Sequence, residues 1–291
     1  MTSAIAAAPA TASAPPFQLR RPAGWSAEAA KYGAVFTATL RGQLAYAGEL
    51  ALRTTFLVII LYVFLQLWRA TFSAEGKPTI AGFSVAHMVW YLALTEAIVM
   101  SRTRLSGTVD EEVRSGDIAY RLVRPYAYAG YHLASHAAER TLRFALNLAV
   151  GSSLALLYVG PVPLAPGGIA IGLAAAALGA LIDFLVLFAI GLLAFWIEDT
   201  SSVQLIYSRL LMLLGGMMLP LEVFPEPIKT IASALPFSAM VYAPARLALI
   251  GGDAAWALGL LARQAVTLAV TVVAVWLLYR AAVRRINVNG G

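Results

Sequence analysis

From Phe144 to Ile182 the chain reads FALNLAVGSSLALLYVGPVPLAPGGIAIGLAAAALGALI, without one charged residue. A helix of a water-soluble domain must present a polar face, and no such face can be drawn on this run. Its middle, Gly160-Pro161-Val162-Pro163-Leu164-Ala165-Pro166-Gly167-Gly168, is dense in the residues that break helices and mark turns. The stretch therefore reads as two membrane spans meeting at a tight turn, and the rest of the chain is read outward from that pair.

Composition agrees. Apolar residues make up 60% of the 291 and charged residues only 12%, about half the fraction of a soluble domain. The same figures exclude disorder for most of the chain, since disorder needs low hydrophobicity and high net charge. With no cysteine, disulfides, thiolate clusters and Cys-ligated zinc are excluded.

Crossing a bilayer takes about 20 apolar residues. Six segments come close: 54–68, 80–100, 144–159, 168–197, 203–219 and 264–279. Arg53 and Arg69 flank the first and can snorkel to opposite interfaces. Glu96 lies in the second, Asp183 in the fourth and Arg209 in the fifth. Before the spans, Ser26 can cap a helix with Glu28 in its first turn. Tyr32, Val35, Phe36, Leu40 and Leu44 then recur at helical spacing. That helix is too charged to span and is expected along the membrane surface. Residues 1–25 are Ala/Pro-rich, with Arg20 and Arg21 after the apolar stretch rather than before it. They are expected to be a disordered tail, not a secretory signal. Residues 287–291 are expected to form a C-terminal tail.

The basic residues orient the chain. With the N-terminus inside, only Arg69, Lys77, Lys229, Arg246 and Arg263 fall on external segments, leaving sixteen of the 21 Lys and Arg inside. Such a bias places both termini in the cytoplasm. It also makes the net charge of +6 a topology signal rather than a nucleic-acid footprint.

Two segments are neither span nor simple loop. Within the internal connection 101–143, Thr108-Val109-Asp110-Glu111 has capping-box spacing. A short helix should begin there, with Arg114 in its last turn and Gly116 supplying a left-handed end. Asp117 can then cap a second short helix over 118–124, stopped by Pro125. Outside, Pro220, Pro225, Pro227, Pro236 and Pro244 punctuate residues 220–252. Two apolar helices, 228–235 and 245–250, are too short to span and are expected to form a hairpin dipping into the outer leaflet. The expected fold is thus an all-α polytopic membrane protein. It has six transmembrane helices, an N-terminal amphipathic surface helix and an outer-leaflet helical hairpin before the last span.

An ionisable group at the depth expected for Asp183 costs at least about 2–3 kcal/mol. It is read either as an ion pair with Arg209, within about 8 Å in depth, or as a contact to substrate or proton. Glu96 is expected to snorkel or to pair with a basic neighbour. His132 and His136 are four residues apart with Glu139 following, but this is not H-E-x-x-H, and no metal is assigned. Gly215-Gly216 would allow close helix approach. The six tryptophans, among them Trp68, Trp196 and Trp276, fall mostly at expected interfaces. No nucleophile elbow, zinc-protease motif or paired carboxylate set occurs, so no catalytic residue is assigned.

The loop string Glu112-Val113-Arg114-Ser115-Gly116-Asp117-Ile118-Ala119-Tyr120-Arg121-Leu122-Val123-Arg124-Pro125 resembles the type-2 ABC transporter permease family, in the subgroup that includes viologen-type exporter permeases. Leu219-Pro220-Leu221-Glu222-Val223-Phe224-Pro225, Leu235-Pro236-Phe237 and Tyr242-Ala243-Pro244 are similar to that family's outer hairpin. The resemblance covers about residues 26–286, which would be one permease domain. It implies a coupling helix near 108–115 that docks on a cytoplasmic ATPase, with Asp110, Glu111, Glu112, Arg114 and Asp117 as contacts. It also implies that ATP and magnesium are held by that partner and no cofactor by this chain, which has no G-x-x-x-x-G-K-[ST] phosphate loop. A second permease half, identical or homologous, would complete the pathway in a bacterial inner membrane. The apolar spans suggest an amphiphilic, lipid-linked or hydrophobic cargo. A secondary transporter or channel using Asp183 is the alternative, but such folds show internal repeats and several polar midplane groups, which this sequence lacks.

Overall fold

The structure, a computed structural model, describes residues 25–45, 47–164, 167–249 and 254–289. Apart from Trp25, the tail expected over 1–25 lies outside them. Among the described residues there is no β-strand, and every regular element is helical.

Helix α1 (Trp25–Ala45) begins at Trp25, so Ser26 is inside its first turn rather than capping it. It lies against the start of α6: Lys31 Nζ donates to Pro125 O at 2.9 Å, and Ala127 N donates to Tyr32 Oη at 3.1 Å. Helix α2 (Ala47–Glu75) is twice the length of the span expected over 54–68. Arg53 and Arg69 end the hydrocarbon-compatible stretch but do not break a helix, which continues until Gly76 at φ 63°. Helix α3 (Val85–Met100) starts where Ser84 Oγ accepts from His87 N.

The connection expected over 101–143 is shorter than its polarity suggested. Helices α4 (Leu105–Arg114) and α5 (Asp117–Leu122) are followed directly by α6 (Tyr128–Val159). Residues 128–143 are therefore the first four turns of the third long helix, because their polar side chains find protein partners. Nor does Thr108 cap: α4 begins three residues earlier, and Thr108 Oγ1 donates back to Arg104 O. Gly116, at φ 82°, makes the left-handed step between α4 and α5.

After the Gly/Pro turn, α7 (Gly168–Leu192) runs on through a short 3₁₀ turn to Phe195. Helix α8 (Ser201–Leu214) stops at Gly215-Gly216, where φ of Gly216 is 71°. That pair ends the helix, whereas the sequence suggested packing inside a span reaching 219. The proline-rich segment folds as α9 (Glu226–Ala234), α10 (Phe237–Met240) and α11 (Tyr242–Leu249). Helix α12 (Ala254–Asn289) extends far beyond 264–279 and takes in most of the expected C-terminal tail.

Among the described residues, four helices are long and apolar enough to cross a membrane: Thr54–Glu75, Tyr128–Val159, Gly168–Phe195 and Ala254–Arg285. Helices α3 and α8, with 16 and 14 residues, are shorter. Helix α7 sits at the centre, packed against α4, α11 and α12, while α3 packs on α2, α6 and α11. Phe184, Leu187 and Phe188 of α7 fill the core beside Tyr128 and Val109. Large apolar side chains such as Phe56, Ile59, Leu67, Val266, Val270 and Val273 point outward, the reverse of a soluble surface and the pattern lipid requires. One end of the bundle carries Arg102, Arg140 and Arg143 and is called the basic end below. The other carries α9–α11 and is called the proline-rich end.

Candidate functional site

Two buried carboxylates organise the basic end. The first is Glu112, on α4 and only 6% exposed. Its Oε2 accepts from Tyr128 Oη at 2.7 Å and lies 3.0 Å from His132 Nε2, both on α6. Its Oε1 lies 2.9 Å from Arg121 Nε on α5. Burial pushes the Glu112 carboxyl up, but the hydrogen bonds from His132 and Tyr128 and the Arg121 charge outweigh it. The carboxyl titrates below its ordinary range. Glu112 thus fastens α4 and α5 onto α6.

Helix α4 is held on its other side by α7. Val109 is fully buried, and a Cβ added to Gly191 would sit 2.6 Å from Val109 Cβ and 2.9 Å from Ser106 O. Only glycine allows this approach. The turn that faces away is exposed: Glu111, Arg114 and Asp117, then Tyr120 at 74% and Val123 at 83%. Asp110 is largely covered and lies 3.5 Å from Arg114. Of the five residues the resemblance offered for ATPase contact, Glu111, Arg114 and Asp117 reach the surface. Asp110 is mostly covered and Glu112 is internal. Tyr120 and Val123, two large exposed side chains in a short polar loop, were not among those five.

The second carboxylate is Asp183, 1% exposed. Arg102 Nε donates to both its oxygens at 3.1 and 3.2 Å, Arg140 Nη1 donates to Oδ2, and Tyr207 Oη donates to Oδ1 at 2.6 Å. The Arg102 guanidinium also stacks 4.9 Å over the Tyr207 ring. One carboxylate therefore joins the end of α3, α6, α7 and α8. The expected partner was Arg209, and the structure corrects this. Arg209 lies two residues beyond Tyr207, about 200° around the helix, and is exposed. Asp183 stands near the middle of the apolar helix Gly168–Phe195, and Arg102, two residues past the end of α3, reaches it through its long side chain.

Glu96 is buried, 3% exposed, and among the described residues it neither pairs nor reaches the surface as expected. His136 Nδ1 lies 2.8 Å from Thr103 Oγ1, Glu139 pairs with Arg143, and His132 serves Glu112. No group of residues that could hold a metal occurs among the described residues. At the proline-rich end, Glu222 accepts from Tyr242 Oη at 2.7 Å and Arg246 Nε at 2.8 Å, which fixes the hairpin by the same device.

These charges fasten helices to one another, and the two-helix plate of α4 and α5 stands at one end of a lipid-facing bundle. Together with the apolar helices, this defines a multi-pass membrane protein. The chain matches the ABC-2 family transporter protein family over residues 56–290 and belongs to it. In that family the permease is the non-catalytic transmembrane component, and ATPase activity lies on a partner subunit. No curated protein matches the chain.

Proposed function

We propose that this chain is half of the translocation pathway of an ATP-driven exporter, coupled to a separate ATPase through α4 and α5. The observation that carries this reading is the plate itself. Tyr120 and Val123 protrude from it beside Glu111, Arg114 and Asp117, while its inner face is fixed to α6 through Glu112 and to α7 through Val109 and Gly191. Exposed aromatic and aliphatic side chains in a charged setting are the composition of an interface anchor. A plate so fastened transmits a push to the bundle as a rigid body.

The distribution of Lys and Arg puts the basic end and both termini in the cytoplasm. In this reading α3 and α8 are two short crossings, giving six in all. Helix α3 runs from the proline-rich end, where Arg246 lies over Phe83, to Arg102 beside Asp183. Helix α8 leads back to Gly216, whose carbonyl accepts from Tyr91 Oη. A second permease, identical or homologous, supplies the other half, and the partner ATPase binds ATP and magnesium. The membrane is the bacterial inner membrane, the subgroup is that of the viologen-type exporter permeases, and the cargo is amphiphilic or hydrophobic. Asp183 as a transport site has less support, because its carboxylate is already engaged by two arginines and a tyrosine.

Purification from native membranes in mild detergent, followed by mass spectrometry, tests the reading. A stoichiometric chain bearing a phosphate loop is expected, together with a second permease chain if the transporter is a heteromer. A preparation without ATPase, repeated after crosslinking, would overturn it.

A further inference from the structure

Helices α6 and α7 are consecutive and antiparallel; their side chains meet toward the basic end, where Tyr128 faces Phe188, His136 faces Phe184 and Arg140 pairs with Asp183, while their backbones stay apart. Neighbouring helices ordinarily pack at about 8–10 Å, and protein interiors leave few voids larger than a water molecule. Here two cavities, of about 440 and 190 Å³, lie along the pair and share Ile98, Phe144, Leu173 and Ala176 as walls. Together they form one groove, which on α6 runs from Arg140 to Ser152, about 18 Å at 1.5 Å per residue. Leu133 and Leu173 on its margins are 37% and 45% exposed, so the groove opens sideways toward the bilayer.

The two ends of the groove differ. The length beside Phe144 and Leu173 is apolar. The basic end is formed by Ser101, His136, Arg140 and Thr141. His136 is 5% exposed; its Nδ1 is engaged by Thr103, while its Nε2 is buried and finds no partner among the described residues. Arg140 and Arg102 share the single carboxylate of Asp183, which leaves this buried cluster with an excess of one positive charge. Arg143, one turn along α6, is balanced by Glu139.

An apolar slot about one acyl chain long, ending at a buried cation and an unpartnered imidazole nitrogen, is the complement of one kind of amphiphile. We propose that the α6–α7 groove binds a phospholipid with an anionic head group. Its phosphate meets Arg140 and His136 Nε2, and one acyl chain lies along Phe144 and Leu173. With Nδ1 accepting from Thr103 Oγ1, Nε2 carries the ring proton and donates to a phosphate oxygen. The lipid fills the space that α6 and α7 leave open along Phe144 and Leu173. Its assignment to the inner leaflet rests on the orientation proposed above.

The test is native mass spectrometry of the purified chain, equilibrated with phosphatidylglycerol or with phosphatidylcholine of the same acyl chains. One phosphatidylglycerol per chain should survive activation that strips phosphatidylcholine, and phosphatidylglycerol alone should raise the melting temperature. Ala176→Trp, which fills the groove, should abolish both effects. Should Ala176→Trp not fold, Ala177→Leu narrows the same wall and should reduce retention. Equal retention of the two lipids by the wild-type chain would overturn the proposal, as would undiminished retention by a folded groove variant. The ATPase partner plays no part in this measurement, so its absence would count against the exporter reading and not against the lipid site.

Discussion

Arg140 of α6 donates to the Asp183 carboxylate of α7, one turn along from where His136 packs on Phe184. Arg102 and Tyr207 meet the same carboxylate from α3 and α8, so four helices depend on one acidic side chain. Removing one partner of a buried ion pair leaves an uncompensated charge, which costs about 3–5 kcal/mol. Here two guanidiniums would be stranded together.

Asp183→Asn is therefore expected to lower thermal stability sharply in detergent and to reduce the yield of folded protein. Asp183→Asn combined with Arg140→Gln should recover part of the loss, because a stranded cation is removed with the anion. Melting of the two single variants and the double variant measures the coupling. Were Asp183 a transport site and not a fastener, the single variant would melt like wild type and fail only in transport.

Glu111 and Glu112 are adjacent in sequence and opposite in consequence. Glu111→Lys changes a surface charge and should leave melting unchanged while weakening ATPase association and transport. Glu112→Gln removes charge from the buried cluster of Tyr128, His132 and Arg121 and should destabilise the α4–α5 plate by about 1–3 kcal/mol. Separate measurements of melting and of ATPase co-purification distinguish the two. Loss of melting temperature in Glu111→Lys would contradict its exposed placement.

The Glu112 carboxyl titrates below its ordinary range when folded. Its contribution to stability is thus fully present above the unfolded carboxyl's pKa, near 4.3, and is lost as pH falls through the lower folded value. Hydrogen exchange of α4 and α5, referenced to that of α7 at each pH, should show protection constant from pH 7 to about 5 and failing in more acidic solution. Glu112→Gln should remove that acid-dependent loss.

Gly191→Val would place side-chain atoms where Val109 and the Ser106 carbonyl already stand. Overpacking of this kind costs about 1–3 kcal/mol, and here the strain is relieved by moving α4 away from α7. The expected result is a folded bundle whose ATPase is no longer stimulated by cargo, with faster exchange in α4. Retained coupling would show that the push does not pass through this contact.

Tyr120→Ala should leave melting within about 0.5 kcal/mol of wild type, as an exposed position permits. It should weaken ATPase association by about 2 kcal/mol if the ring is an interface anchor. Unchanged co-purification of the ATPase would place the docking surface elsewhere.

Much of the architecture was readable from local features. The uncharged run from Phe144 to Ile182 determined two apolar helices and a turn, since hydropathy and the Gly/Pro cluster act over a few residues. Gly116 and Pro125 marked the breaks around α5 for the same reason. Helix ends were misread where hydropathy stood in for geometry: α2, α6 and α12 run well past their apolar stretches because nothing in the chain stops them. Partner choice was not legible. Asp183 meets Arg102 and Arg140, 81 and 43 positions away, instead of Arg209, and Glu112 turns inward while Glu111 does not. A carboxylate binds whichever donors the packed helices bring within about 3 Å. Sequence alone determined that the chain spans a membrane and where it bends. Which faces meet, and so which charges are buried as fasteners and which remain free to touch a partner, was decided by the tertiary structure, because helix packing selects one neighbour among many charges of the same sign.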